Sequence, residues 1–281
     1  MGRGGGEVRA RKAADLRQRA AAEPALPVSG EPVLTERRGR VLLVTLNRPE
    51  ARNAFDQTVA DAMHAAMDEL DQAEDLFFGV ITGAGDNFSA GADLKAAARG
   101  ETIRTGRGGF GIFERPSRKP MIAAVEGYAV GGGLEVALCC DLIVAAKTAK
   151  LGLPEVRHNL VALGGGVLRL PKRIPYHLAM ELALTGEFHD AEYFHRLGVV
   201  NRLVEEGKAL ESALAWCDQL AENGPLALAA TKQIIFGAAN WTEDEGWAEQ
   251  ARILKPVYES EDRAEGLRAF AEKRKPVWKG K

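Results

Sequence analysis

Four short apolar runs set the tightest constraint on how this chain can fold: VLLVTLN from Val41, FFGVITGAG at 77–85, MIAAVEGYAV at 121–130 and DLIVAA at 141–146. Runs of this length that are apolar throughout suit strands buried on both faces. After the first of them, Phe55, Val59, Met63, Met67 and Leu70 recur every three or four residues and line one side of a helix. Helical stretches between strands imply crossover connections, so the expected architecture is α/β, with a covered sheet rather than an open antiparallel sandwich. Beyond about residue 205 the strand signal stops. Helices are predicted there over 207–222, 225–239, 243–258 and 261–273, separated by breaks such as Asn223-Gly224-Pro225.

At 281 residues the chain is long enough for one large domain, or one domain with an appendage. Its 37 basic and 39 acidic side chains leave a formal charge of -2, which argues against a dedicated nucleic-acid binder. Cys139, Cys140 and Cys217 are odd in number, and two are adjacent in an apolar run. That pattern suits buried free thiols in a reducing compartment, and a cytoplasmic location is expected. No run of 18 apolar residues is present and residues 1–25 lack an apolar signal core, so neither a membrane span nor secretion is expected. Residues 1–30 carry Arg3, Arg9, Arg11, Lys12, Arg17 and Arg19, interrupted by Glu7, Asp15 and Glu23, and read as a mobile tail.

The chemistry concentrates in two glycine-rich stretches, FSAGADLK (88–95) and GYAVGGGLEVA (127–137). Each places small residues where a strand gives way to a helix. Helix starts present free N–H groups, and glycine or alanine lets a ligand approach them closely, so two facing turns would stabilise a developing oxyanion. Rival motifs fail on spacing. Gly83-Ala84-Gly85 meets Phe88 where a dinucleotide fingerprint needs glycine, Gly133 stands where a phosphate loop needs lysine, and Ser89 lies in no G-x-S-x-G elbow. His189 and His195, six apart, do not share a helical face, and no metal site is expected.

Two carboxylates, Glu135 and Glu155, stand in apolar company. Each can serve as a helix N-terminal acid or a salt-bridge partner. Alternatively the pair converges on one poorly solvated pocket and handles protons and water.

From about residue 33 onward the chain resembles the crotonase superfamily, the enoyl-CoA hydratases and isomerases. The resemblance is carried by LNRPEARNAF (46–55), FSAGADLK, IAAVEGYAVGGGLEVALCCDLIVA (122–145), LGLPEV, LALTGE (182–187), LGVVNRLV (197–204) and AFAEKRKPVW (269–278). It implies a crotonase-like ββα spiral core over 31–205 that holds the active site. A C-terminal helical trimerisation region would span 206–281, with assembly as a homotrimer or a hexamer built as a dimer of trimers. It implies an oxyanion hole from the backbone N–H groups of Ala92 and Gly132, with catalytic glutamates at Glu135 and Glu155. The coenzyme A nucleotide would lie along Arg52, Ala54, Ala90, Asp93, Leu94 and Lys95, with Lys273 as a candidate phosphate contact.

The implied reaction is reversible syn addition of water across a 2-trans-enoyl-CoA. Glu135 would act as base toward the water and Glu155 as acid toward Cα. No metal or redox cofactor is called for, since coenzyme A is part of the substrate, and neither nucleic acid nor membrane is an expected partner. The chain departs from many family hydratases at Ala162-Leu163-Gly164-Gly165-Gly166, where they read P-G-A-G-G. An altered backbone contact near Leu163 bears on acyl chain length. The Gly- and Arg-rich stretch 96–115 reads as a flexible loop beside the acyl pocket. Carnitinyl-CoA dehydratase and Δ3-Δ2-enoyl-CoA isomerase are the alternatives within the superfamily, the former because GGGVLRLPKRIP and AEGLRAFAEKRKPVWKGK resemble its segments. A non-catalytic or RNA-binding scaffold is the alternative outside it.

Overall fold

The apolar run at Val41 forms a strand buried at every position, which is possible only when both faces are covered. The structure, a computed structural model, describes residues 30–281; apart from Gly30, the expected N-terminal tail lies outside the described residues. Strand β1 (Val33–Arg38) pairs antiparallel with β2 (Val41–Leu46), and helix α1 (Gln57–Gln72) leads to β3 (Phe78–Gly83), parallel to β2. Helix α2 (Leu94–Ala98) and the hairpin of β4 (Arg104–Thr105) and β5 (Gly108–Gly109) follow. Next come β6 (Met121–Val125), β7 (Tyr128–Val130), α3 (Gly132–Ala137), β8 (Leu142–Ala146) and β9 (Lys150–Gly152). A 3-10 turn at Pro154–His158 leads to α4 (Gly166–Arg173), α5 (Tyr176–Thr185), β10 (His189–Asp190), α6 (Ala191–Arg196) and β11 (Arg202–Val204). The chain then continues through α7 (Ala209–Leu220), α8 (Pro225–Ala238), α9 (Glu243–Tyr258) and α10 (Glu261–Ala271).

The main sheet has six strands in the order β1-β2-β3-β6-β8-β11, all parallel except β1. Its register sets Val44 opposite Ile81, Val80 opposite Ile122 and Ala124 opposite Val144. Alternation along β2 then serves two cores. Leu42, Val44 and Leu46 pack with Val59, Met63, Met67 and Leu70 of α1, the stripe expected from the periodicity. Val41 and Leu43 face the other way, joining Phe78, Val80, Ile122 and Val144 against Ala209, Ala213 and Cys217 of α7. Asp56 starts α1 by accepting the Val59 N–H at 3.1 Å. The first helix beyond residue 205 is therefore the second cover of the sheet.

One expected strand divides. The run 121–130 is β6 and β7, which belong to different sheets, because the chain breaks at Glu126-Gly127. A second, three-stranded sheet runs β10-β9-β7. The charge that interrupts the apolar run has a structural use, since a Glu126 carboxylate oxygen accepts the Ala209 N–H at 2.9 Å and caps the start of α7.

The flexible loop expected over 96–115 is instead fastened in its second half. Arg107, 4% exposed at its side chain, reaches Asp68 at 2.7 Å and Asp71 at 2.6 Å on α1. Asp71 also accepts from Ser117 Oγ at 2.7 Å and from the Arg118 N–H at 2.8 Å. Burial opposes its ionisation, but the Arg107 and Ser117 hydrogen bonds outweigh that and hold its carboxyl below the usual range. Phe110, Ile112 and Phe113 are buried next to this anchor. The glycines and arginines that read as mobility thus form a tight hairpin with a buried ionic lock. Removing one partner of a buried pair strands the other charge, so Arg107→Ala is expected to cost about 3 kcal/mol in urea unfolding. A loss below about 1 kcal/mol would mean that the loop is held by its aromatic side chains alone.

Candidate active site

Backbone ladders bring the two glycine-rich stretches together. The Ala90 N–H donates to Arg52 C=O at 2.9 Å, Phe55 N–H to Gly91 C=O at 2.8 Å and Asp93 N–H to Phe55 C=O at 2.8 Å. On the other side Ser89 N–H donates to Tyr128 C=O at 2.9 Å and Val130 N–H to Ser89 C=O at 3.1 Å. Ser89, fully buried, ties the junction with Oγ, which donates to Asn53 C=O at 2.8 Å and accepts the Gly91 N–H at 3.1 Å. The turn at Gly91, with φ +89°, is thereby pressed onto the start of α3, and a Cβ at Gly91 would stand 2.8 Å from the Gly132 nitrogen. Only glycine fits this approach. Gly132 opens α3, so its N–H belongs to the first turn and has no intrahelical acceptor. Ala92 is exposed, and its N–H finds no acceptor among the described residues, those of Gly91 and Asp93 being used in the ladder.

Both glutamates come to this junction. Glu135 is 3% exposed and sits in the first turn of α3; Glu155 occupies the first turn of the 3-10 segment. The helix-terminal placement is thus correct for both, but neither forms a salt bridge among the described residues. Glu135 Oε1 instead accepts the Gly166 N–H at 2.8 Å. Burial pushes its carboxyl up; the Gly166 N–H opposes this, the Glu155 charge adds to it, and the Gly164 N–H and Arg169 oppose it, leaving a pKa of about 7. Burial also raises the Glu155 carboxyl. Its Oε1 lies over Gly131, where a Cβ would approach to 3.1 Å, and its Oε2 is buried without a hydrogen-bond partner among the described residues. Two carboxyl groups of raised proton affinity therefore flank the start of one helix.

Side chains beyond the predicted set complete the surroundings. Phe55, Phe110 and Phe113 form a stack with ring centroids 4.3 and 4.7 Å apart, and the Phe110 ring lies directly against Gly132. A Cβ on Gly164 would meet both Phe113 and Glu135 Oε2, which places that ring beside the carboxylate. The glycine departure at 162–166 turns out to be the cradle of Glu135, while Leu163 itself is 89% exposed. Glycines followed by Arg169 were the available signal for this cradle; nothing local linked it to Glu135, 31 residues earlier.

Arg52, Ala54, Ala90, Asp93, Leu94 and Lys95 line adjoining segments of the ladder, with Arg52, Leu94 and Lys95 exposed. Asp93 is committed to structure: it caps α2 through the Lys95 and Ala96 N–H groups and pairs with Arg48 at 3.2 Å. Ala54 C=O accepts from Arg48 as well. Lys273 does not join them. It stands exposed just past α10, in a left-handed turn, and no hydrogen bond or ion pair ties it to the strip. No group of three or more His, Cys, Asp or Glu among the described residues could hold a metal ion, and none of their helices is long and apolar enough to cross a membrane.

A mainly parallel sheet covered on both faces by helices matches the fold of the crotonase superfamily. More narrowly, the enoyl-CoA hydratase/isomerase model matches residues 36–281, and the chain belongs to that family. A carnitinyl-CoA dehydratase from Salmonella heidelberg is 45% identical over 256 residues, spanning 87% of this chain and 97% of the relative. The crystal structure of an enoyl-CoA hydratase from Mycobacterium tuberculosis H37Rv superposes with TM-score 0.86 at 52% identity, covering 89% of this chain and all of that one. One from Mycobacterium marinum gives 0.87 at 53% identity over the same shares.

The raised Glu135 carboxyl has a thermodynamic signature. Its folded pKa of about 7 lies above its ordinary value of 4.5, so the folded state holds the proton more tightly. This contribution is complete below about pH 4.5 and is lost as pH rises through 7. Between pH 5 and pH 8, wild-type stability is expected to fall relative to Glu135→Gln by about 2–3 kcal/mol in denaturant unfolding. A pH-independent difference would show that the carboxyl titrates normally.

Proposed function

We propose that this protein is an enoyl-CoA hydratase, adding water reversibly to a 2-trans-enoyl-CoA. The observation that carries this reading is the convergence of Glu135 and Glu155 on the Gly131-Gly132 turn, where Gly91 and Ala92 also arrive. The N–H groups of Ala92 and Gly132 are assigned to the thioester oxygen, which gains negative charge as the enolate forms. A preorganised donor of this kind is worth about 100- to 1000-fold in rate. Glu135 in its ionised form takes a proton from water as the oxygen bonds to Cβ, and Glu155 in its protonated form delivers a proton to Cα. Syn addition follows because both carboxyl groups act from one side. No metal or redox group enters the assignment, since coenzyme A arrives as part of the substrate. Arg52 and Lys95, exposed on the ladder, are assigned to its phosphates.

Assembly as a homotrimer, or a dimer of trimers, belongs to the same proposal. It is supported by α9, a helix of 16 residues with none buried, and by the exposure of Trp247 and Phe236. The free, buried thiols of Cys139, Cys140 and Cys217 support a cytoplasmic setting.

The 45% identical dehydratase of Salmonella heidelberg favours carnitinyl-CoA as a second acyl group for the same two-glutamate chemistry. The test follows the conjugated thioester absorbance across a panel of acyl-CoAs, which falls as an enoyl-CoA is hydrated and rises as carnitinyl-CoA is dehydrated. Glu135→Gln and Glu155→Gln are each expected to lower kcat by at least about 100-fold. Because Glu135 must be ionised to act, kcat/KM is expected to fall as pH drops below about 7. Turnover unchanged in both variants would overturn the assignment, and preference within the panel selects the acyl group.

A further inference from the structure

We propose that Arg169 is a positioning residue for Glu135, holding the Gly164–Gly166 cradle by a carbonyl on one side and the Phe113 turn by a carbonyl on the other. Its Nη1 donates to Gly164 C=O at 2.8 Å and its Nη2 to Phe113 C=O at 2.5 Å. The two acceptors are far apart in sequence, yet both flank the same carboxylate. Gly166 donates its N–H to Glu135, and the Phe113 ring shares the contact over Gly164 with Glu135 Oε2. The planar, five-donor guanidinium can span two carbonyls that diverge in this way, whereas a lysine ammonium acts as a point charge.

Arg169 differs from an ordinary structural arginine. It is half-buried, yet among the described residues it forms no ion pair, and its nearest service is to two neutral carbonyls. A partly buried cation without a carboxylate partner is costly unless its field is used elsewhere. Here the field falls on Glu135. The charged and titratable groups facing Glu135 are Glu155 from the 3-10 turn, Arg169 from α4 and Cys139 just past the end of α3, whose thiol burial keeps protonated; Arg173 of α4 acts on that same thiol. Arg169 is thus the cation that favours the ionised form of Glu135, while Glu155 and burial disfavour it.

The inference deepens the hydratase reading and rests on it for the kinetic arm of the test only. In Arg169→Gln, kcat on the enoyl-CoA is expected to fall by about tenfold or more with KM changed by less than about threefold, as for a misplaced base. The acidic limb of kcat/KM is expected to move up by about 1 pH unit, the removed cation no longer favouring the carboxylate. Arg169→Lys, which keeps the charge and loses the fork, should return that limb toward wild type while kcat stays low. The arm that needs no substrate is the titration of Glu135 in Glu-labelled protein by 13C NMR, assigned with Glu135→Gln. Its midpoint should rise in Arg169→Gln and recover in Arg169→Lys. An unmoved midpoint in Arg169→Gln, or wild-type kcat in both variants, would overturn the proposal. If Arg169→Gln fails to fold, Arg169→Lys decides alone: low kcat with a wild-type melting temperature supports it, and full kcat refutes it. If the wild type turns over no acyl-CoA, the hydratase reading falls, and the NMR titration still judges Arg169.

Discussion

Everything in the site depends on the close apposition of two backbone turns, those at Gly91 and Gly132. Chain segments 52–55, 89–93 and 128–131 are laced by main-chain hydrogen bonds, and buried Ser89 ties two of them at once. Because the donors belong to the backbone, their placement is as rigid as the ladder. The cost is that no side chain can be tolerated where the turns meet. The sheet supports this arrangement by ending β3 and β6 just ahead of it, so that the segments leaving neighbouring parallel strands arrive side by side.

The electrostatics follow from that geometry. Packing α3 into the core buries Glu135, and burial alone would leave it protonated at neutral pH. Two glycine N–H groups and one guanidinium return it to a range where gaining and losing a proton cost little. Glu155 is treated differently, with one oxygen over the helix start and the other without a hydrogen-bond partner among the described residues. Unequal surroundings set two chemically identical groups apart in how they hold a proton.

Most of the fold was legible because it is written in short-range patterns. The strands follow from short runs that are apolar throughout, the stripe Phe55–Leu70 from a period of 3.6, and the helix breaks after residue 205 from Gly, Pro and polar clusters. The motifs singled out Ala92, Gly132, Glu135 and Glu155, which the fold brings to one junction. What escaped depends on long-range pairing. Arg107 reads as a loop charge until α1 supplies Asp68 and Asp71 from more than 30 positions away. The 121–130 run divides at Glu126-Gly127, and the carboxylate there meets the Ala209 N–H, 83 residues on. The Glu135 cradle and the Phe110 contact on Gly132 are likewise properties of the assembled chain.

The antiparallel strand β1 closes one side of the main sheet, and four of its six residues are exposed. Arg37 there pairs with Glu69 and Asp75, and Arg38 with Glu36, so its outer border carries a fringe of compensated charges rather than an apolar ribbon. Lengthening the sheet by docking another strand would require stripping water from that fringe, which discourages fibre-like growth.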